Sequence, residues 1–366
     1  MKVAIIHNQL RSGGGMEAYM LALINGFLAA GDEVHVFTYD LDRRLAARLN
    51  CTVHQSHLFF LPRRWKKYCF LFWLNKKFNR KEYDLSLALT RTAAAQMAVV
   101  GGVHPAFVAR RANTTYLLRR FHDWMETRFE QYMFALTPVI LAHSKNIAGE
   151  ITTYYPDVDT GKIVVRYPPV DTDFFVPVTG EALQQVRIKY YIDPGRMTLL
   201  FPSKGHRRKG LQELLAAFAL LDRKELDHKE YELLVVGEKL RGFQDIPANV
   251  RYLGYIDNLS GLYSAVDYTV LPSRYEPFGL AVVESLHCGT PVLVSRQVGA
   301  CEILSPREGV IVENITAATL AETICQLKKN RVEPGFVHRH GLSIGRHIAD
   351  LKTLIHGKGA EKTEGI

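Results

Sequence analysis

Between Val3 and Thr38 the chain runs VAII, then MEAYMLALINGFLAA, then EVHVFT: a β-rich run, an amphipathic stretch and a second β-rich run. This rhythm constrains the fold more than any other feature, because two parallel strands need a crossover of a dozen or more residues, usually a helix. Tyr19, Leu23 and Phe27 recur every four residues along one helical face. The strands are continuous apolar runs, as expected where helices cover both faces of a parallel sheet. Further strands are predicted at 84–89, 98–100 and 139–144. The rhythm then restarts, with TLLFP (198–202), a helix over 210–221, ELLVV (232–236), VRYLG (250–254), DYTVLP (267–272) and PVLV (291–294). Two Rossmann-like α/β/α domains follow.

VVRYPPVDTDFFVP separates the two sets; it has three prolines and no helical period, and reads as a stiff linker over 167–178. The predicted domains are 1–168 and 169–340, with a C-terminal helix over 341–356 packing back on the first and a disordered tail at 357–366. At 366 residues two domains of ordinary size fit better than one core. Two lobes so joined would face each other across a cleft. Ligands of open α/β sheets bind beyond the carboxyl ends of the strands, so the loops after Ile6, Leu200 and Leu271 should face it.

Composition excludes several classes. No uninterrupted apolar segment approaches the roughly 20 residues of a spanning helix. The start, MKVAIIHNQ, reads as a first strand and not as a secretory signal, which predicts a cytoplasmic protein. The five cysteines are scattered and never in Cys-x-x-Cys spacing, against a disulfide frame or a zinc site. Net charge is +9, and residues 1–170 hold all of it, with 22 Lys and Arg against 13 Asp and Glu, while 171–366 hold 24 of each. A basic first domain calls for a polyanionic partner, nucleic acid or an anionic membrane surface.

Gly13, Gly14 and Gly15 follow the first strand and precede the first helix. Such a loop lets backbone amides approach a phosphate, and the helix amino terminus adds roughly half a positive charge. Gly13-x-Gly15-x-x-Ala18 also loosely fits the dinucleotide fingerprint, with Asp40 where a ribose-binding acid would sit, so an NAD-dependent oxidoreductase is a competing reading. In the second domain SKGHRRKG crowds Lys204, Arg207, Arg208 and Lys209 into a strand-to-helix loop. There Arg208 and Lys209 could clamp a diphosphate and stabilise charge on a leaving group.

SRYEPFGLAVVESLHCGTPVLVS sets Glu276 ahead of a Pro-Phe-Gly turn and Glu284 inside an apolar run. Pro277 suits a helix's first turn, and amides of Phe278, Gly279 and Leu280 would point toward a ligand. If the stretch is helical throughout, the two acids lie about 12 Å apart and could hold different parts of one extended ligand. An unpaired carboxylate at Glu284 would be costly to bury, and vicinal hydroxyls such as those of ribose would satisfy it.

In this Glu-x7-Glu arrangement the chain resembles the retaining glycosyltransferases of family 4, which have the GT-B fold. The resemblance extends to the glycine loop, to a Pro-x-Asp-x-x-x-Phe hinge (Pro169, Asp171, Phe175), to Arg208-Lys209-Gly210 and to Glu276-Pro277-Phe278-Gly279. It implies that Glu276 contacts the donor sugar and Glu284 the nucleotide ribose, and that a histidine of the first domain lies near the sugar. His104 fits that position best and His122 is the alternative. The implied chemistry is front-face transfer, in which the leaving diphosphate takes the proton of the attacking hydroxyl. No metal or other cofactor is required, although Asp-x-Asp occurs at Asp40, Asp157 and Asp171.

The basic surplus concentrates in FFLPRRWKKYCFLFWLNKKFNRK (59–81), with eight cations, no acid and interleaved aromatics. Arg63, Arg64, Trp65, Lys66, Lys67, Lys76, Lys77, Arg80 and Lys81 there, with Arg110, Arg111, Arg119 and Arg120 beyond, suit an interfacial helix on an anionic membrane. No nucleic-acid motif accompanies them. Taken with this basic patch, the family resemblance implies a hexosyltransferase with a nucleotide-sugar donor of UDP-glucose type and a glycolipid or lipopolysaccharide-core acceptor, peripheral at the inner membrane face. A non-catalytic membrane-binding protein is the remaining alternative.

Overall fold

A computed structural model describes residues 1–58, 61–110, 117–223 and 231–360, without the side chains of 63, 64, 117, 118, 222, 223 and 356–360. The chain divides into two compact units, Met1–Pro169 with Leu342–Ile366, and Val170–Gly341.

In the first unit seven strands form one sheet: β1 (Lys2–Ile6), β2 (Glu33–Thr38), β3 (Thr52–Gln55), β4 (Leu85–Ala88), β5 (Met97–Val100), β6 (Val139–Ala142) and β7 (Ile163–Val165). Their order is β3-β2-β1-β4-β5-β6-β7 and every pair is parallel. Successive side chains of β1 feed opposite layers. Val3 and Ile5 pack with Leu23 and Phe27 of helix α1 (Gly15–Ala29), whereas Ala4 and Ile6 pack with Phe70 and Leu74 of α2 (Arg63–Lys77). Two more helices matter for function, the short α3 (His104–Ala109) and the long α4 (Leu117–Leu136).

The second unit repeats the plan. Strands β8 (Met197–Ser203), β9 (Tyr231–Gly237), β10 (Val250–Gly254), β11 (Tyr268–Leu271), β12 (Val292–Ser295) and β13 (Gly309–Val312) lie in the order β10-β9-β8-β11-β12-β13, again all parallel. Helices α5 (Gly180–Tyr190), α6 (Leu211–Arg223) and α7 (Leu280–His287) belong to this unit. Leu199 and Phe201 of β8 face Leu214 and Phe218, and Leu200 faces the opposite layer with Leu234 and Tyr263. The predicted linker is mostly part of this unit: Asp171 accepts from the Phe174 amide (3.0 Å), the Phe174 carbonyl accepts from Asn258, and Phe175 packs against Tyr263.

The last helix, α8 (Ile344–Ala360), returns to the first unit and extends four residues into the stretch read as a tail; 361–366 lie outside the described residues. It crosses α1 at Gly26, where an added Cβ would meet Ile344 and Ile348. Lys352 donates to Asp32 (2.6 Å), which also takes the chain's amino terminus (2.9 Å). Burial opposes Asp32's charge, but these two cations outweigh it and keep its pKa below the ordinary value. Deeper in the contact, the Tyr19 hydroxyl lies 2.8 Å from His347 Nε2, and the Tyr19 ring meets His143 edge-on at 4.8 Å. Burial pushes His143 down to about 3 and His347 down to about 4, so both imidazoles are neutral in the folded protein at neutral pH.

A histidine whose folded pKa is depressed binds its proton more readily when unfolded, so its contribution is complete above about pH 6.5 and is lost as pH falls from there toward the folded value. At pH 5 each buried imidazole should cost about 2 kcal/mol of stability. The thermal midpoint should therefore fall between pH 6.5 and 4, and more steeply than in His143→Gln/His347→Gln; parallel slopes in the two proteins would contradict this origin.

Candidate active site

The strand order of the second unit reverses between β8 and β11, which opens a crevice at their carboxyl ends. The two loops that leave those ends are SKGHRRKG and SRYEPFG. They are locked together through the backbone: Arg274 N–H donates to the Arg208 carbonyl (2.9 Å), and Glu276 bridges to the loop after β12, donating to Gln297 O and accepting from Gly299 N–H. Gly210, at φ 81°, rests on the Pro272 carbonyl, where a Cβ would collide. Gly279, at φ 98°, approaches Val298 just before α7 begins. Both positions need glycine because the left-handed backbone and the close contact exclude a side chain.

This framework gathers the predicted residues. Arg208 donates to Glu276 Oε2 at 3.0 Å, and Lys209 Nζ lies 3.5 Å from the same oxygen. Glu276 and Lys209 are mostly buried, and Arg208 is about one-third exposed. Both cations approach one oxygen, and among the described residues none is placed on Oε1 of Glu276, which can therefore take a hydroxyl. Glu284, on α7, accepts from the Tyr263 hydroxyl at 2.8 Å. Burial pushes its carboxyl up to about 7, against the opposing influence of the Tyr263 bond and the Lys209 charge. Beside Arg208 a pocket of about 600 Å³ is lined by Gly205, His206, Arg207, Glu238 and Phe243 among others. Glu238 accepts from the Gly205 (2.8 Å) and His206 (3.1 Å) amides, which fixes the loop's first turn.

One expectation for this loop needs correction. The stretch from Glu276 is not helical throughout: α7 starts at Leu280, three residues after Pro277, because Gly279 is left-handed and Glu276 is committed to the β12 loop. The Phe278 ring is buried and its carbonyl accepts from Ala300 N–H, which fixes the turn that carries the Phe278, Gly279 and Leu280 amides.

In the first unit Gly13 takes φ 116° and Gly14 caps α1. The Glu17 carboxylate folds against that cap, held by Gln9 (2.5 Å) and lying 3.9 Å from His7 Nε2. The His7 contact holds it down to about 2, so it is an anion where a cofactor pyrophosphate would have to sit. Asp40, the candidate ribose acid, is paired with Arg11. Neither observation suits a dinucleotide, and the Glu17 anion equally opposes the phosphate expected at Gly13, Gly14 and Gly15.

His104 opens α3 and is buried, its amide donating to Glu130 (2.8 Å) and its Nε2 lying 3.1 Å from Asp123. Burial, reinforced by the Arg91 charge, lowers its pKa, which favours neutral imidazole. His122 is exposed and sits 3.8 Å from both Asp123 and Glu126, its ring 6.3 Å from that of His104. Beneath lies a network that the sequence reading missed. Arg91 bridges Glu126 (2.9 Å) and Glu130 (2.8 Å), and Glu130 also accepts from the Tyr155 hydroxyl. Burial opposes the charge on Glu126, yet Lys67 and Arg91 outweigh it and keep its pKa low. The available signal was the spacing of Asp123, Glu126 and Glu130, three acids on one face of α4 in a basic unit.

The basic stretch divides between interior and surface. Lys67 is withdrawn from the proposed membrane set, because its ammonium is committed to Glu126 (2.5 Å). Phe70, Leu71 and Leu74 are core residues. Trp65 and Phe72 are exposed, as are Lys76, Lys77, Arg80 and Lys81, while Lys66 is half-buried. The side chains of Arg63 and Arg64, together with Phe59, Phe60 and Arg111, lie outside the described residues. Of the flanking arginines, Arg110 pairs with Glu150 at 2.8 Å, and Arg119 and Arg120 are exposed. Among the described residues no group of three or more His, Cys, Asp or Glu is placed to hold a metal ion, and no helix is long and apolar enough to cross a membrane.

Comparison with known proteins fits this geometry. Residues 13–174 match the Glycosyltransferase Family 4 domain, and residues 184–339 match Glycosyl transferases group 1. A probable transglycosylase of Burkholderia thailandensis is 28% identical over 100% of this chain and 99% of its own length. D-inositol 3-phosphate glycosyltransferase of Pseudarthrobacter chlorophenolicus is 31% identical over 50% of this chain, which spans under half of that relative (46%). Among solved structures, WaaG, a glycosyltransferase involved in lipopolysaccharide biosynthesis, superposes over 100% of both chains with a TM-score of 0.73 at 19% identity. Anabaena HepE in complex with UDP-glucose does so over 100% of both chains with 0.69 at 16%. These structures share the two-domain GT-B fold. The chain belongs to the glycosyltransferases of family 4, with a group 1 transferase domain as its second unit.

Proposed function

We propose that the protein transfers a hexose, with retention and without a metal, from a UDP-hexose such as UDP-glucose to a glycolipid or lipopolysaccharide-core acceptor at the cytoplasmic face of the membrane. The observation that carries the donor half is the Arg208–Glu276–Lys209 cluster at the reversal point of the second sheet. Arg208 and Lys209 bind the diphosphate, the adjoining pocket has room for the nucleoside, and Glu284 takes the ribose hydroxyls through the carboxylate oriented by Tyr263. Glu276 orients the sugar through Oε1. The acceptor oxygen bonds to the anomeric carbon on the face that the diphosphate leaves, the bond from that carbon to the phosphate oxygen breaks, and the departing oxygen takes the acceptor's proton. The cations gain importance as negative charge develops on the leaving group. HepE, of the same fold, was solved with UDP-glucose, and WaaG is involved in lipopolysaccharide biosynthesis.

The membrane half rests on the first unit's surface. On α4, Phe121, Trp124, Arg128, Tyr132 and Leu136 recur at three- and four-residue spacing, and all are exposed. With Arg119 and Arg120 they form the mixed aromatic and basic stripe that lies at an acyl and headgroup boundary. Helix α2 packs beside α4 through Tyr68 on Phe129 and adds Trp65, Lys76 and Lys77.

Removing one charge-stabilising donor costs about 3 kcal/mol in the transition state. Arg208→Ala, Lys209→Ala and Glu276→Gln should each lower kcat roughly a hundredfold in a folded protein; near-normal turnover in all three would refute the assignment. Because the ionised form of Glu284 binds the ribose, donor KM should rise as pH falls through about 7, and Glu284→Gln should remove that step. EDTA should leave the rate unchanged, and its loss on chelation would reinstate a metal. Vesicles containing anionic lipid should sediment the protein, and Phe121→Ala/Trp124→Ala should weaken this; equal sedimentation with neutral vesicles would remove the membrane claim.

A further inference from the structure

At the opposite end of the second sheet from Arg208, the amino ends of β8 and β11 border a cavity of about 280 Å³ lined by Arg187, Asp193, Asp267, Lys329, Asn330 and Arg331 among others. Three cations meet two carboxylates there, and most of these charges are already committed. Asp267 accepts from the Thr198 amide (2.8 Å) and faces Lys329 at 3.4 Å, while Lys329 also donates to the Pro194 and Arg196 carbonyls at 2.6 Å each. Asp193 closes its own turn by accepting from Gly195 N–H (2.8 Å). Asn330 accepts from the Tyr268 hydroxyl (3.0 Å). Arg331 donates one N–H to Thr290 (2.5 Å), and the other nitrogen atoms of its guanidinium have no protein partner among the described residues.

Arg187 differs from all of these. Its guanidinium makes no hydrogen bond or ion pair among the described residues, and its Nε is buried without a partner. Arg331 is influenced by it: partial withdrawal from water lowers the Arg331 pKa most, Arg187's positive charge lowers it further, and Asp267 opposes both. Two planar forks with N–H groups to spare, set close enough to repel, suit a tetrahedral dianion, because each fork can donate two parallel N–H···O bonds. A phosphate group occupies a fraction of the cavity, and the remainder would take a small polar substituent.

We propose that this cavity is a second anion site, which takes inorganic phosphate or a phosphomonoester between Arg187 and Arg331, away from the loops that carry Arg208 and Glu276. The proposal does not rest on the transferase reading, and its test is made where that reading cannot interfere. Inorganic phosphate is titrated into the full chain bearing Arg208→Ala/Lys209→Ala, against sodium chloride at matched ionic strength, with the thermal midpoint and calorimetric heat as readouts. A saturable rise in midpoint is expected, and Arg187→Gln or Arg331→Gln should weaken the apparent affinity at least tenfold, as expected for losing one charge-assisted fork. Arg307→Gln, on an exposed ion pair elsewhere, should change nothing. Glucose 6-phosphate binding tighter than phosphate, and equally sensitive to Arg187→Gln, assigns the site to a phosphomonoester; the reverse order assigns it to the free anion. If Arg187→Gln does not fold, Arg331→Gln still decides. No saturable effect, or an effect that both glutamine variants retain, overturns the proposal.

Discussion

The second unit depends on one carboxylate oxygen that holds two cations. Without Glu276, Arg208 and Lys209 would repel each other in a partly buried loop, and each would gain by swinging into water. With it, both are fixed at the one place in the sheet where strand order reverses and a crevice is available. The backbone bonds that join the loops after β8, β11 and β12 keep the triad in place before any ligand arrives. Preorganised charge of this kind acts on a leaving group without further reorganisation. Gly210 and Gly279 contribute indirectly, since each permits a backbone approach that any other residue would block.

The first unit handles charge in the opposite way. Its basic excess is partly internal: Arg91 and Lys67 are bound to Glu126 and Glu130, and this network carries the amide of His104. Breaking a buried pair by removing one partner strands the other, so these residues act together as a scaffold for His104. The charge left over on α2 and α4 lies beside exposed aromatic rings, the juxtaposition on which the proposed membrane contact rests.

The central strands were legible because each is largely buried on both faces and reads as a mainly apolar run. Edge strands β3, β7 and β13 were not, being short and only partly buried. The motif glycines and acids of the second unit were legible as a set, since their spacing matches the geometry of strand, loop and helix. The start of α7 was misplaced because the turn is governed by a bridge from Glu276 to the loop after β12, some twenty residues away, which local propensity cannot report. The same holds for Lys67, whose partner lies 59 residues further along the chain. Tyr263, which orients Glu284, was hidden in the same way.

The central claim is that Arg208 and Lys209 form the diphosphate seat. Titration calorimetry with UDP and with uridine, at two salt concentrations, tests it most directly. The account predicts that UDP binds much more tightly than uridine, that the difference shrinks as salt rises, and that Arg208→Ala/Lys209→Ala abolishes it while leaving uridine binding unchanged. Equal affinity of the wild-type protein for UDP and uridine, or an undiminished preference for UDP in the double variant, would contradict it.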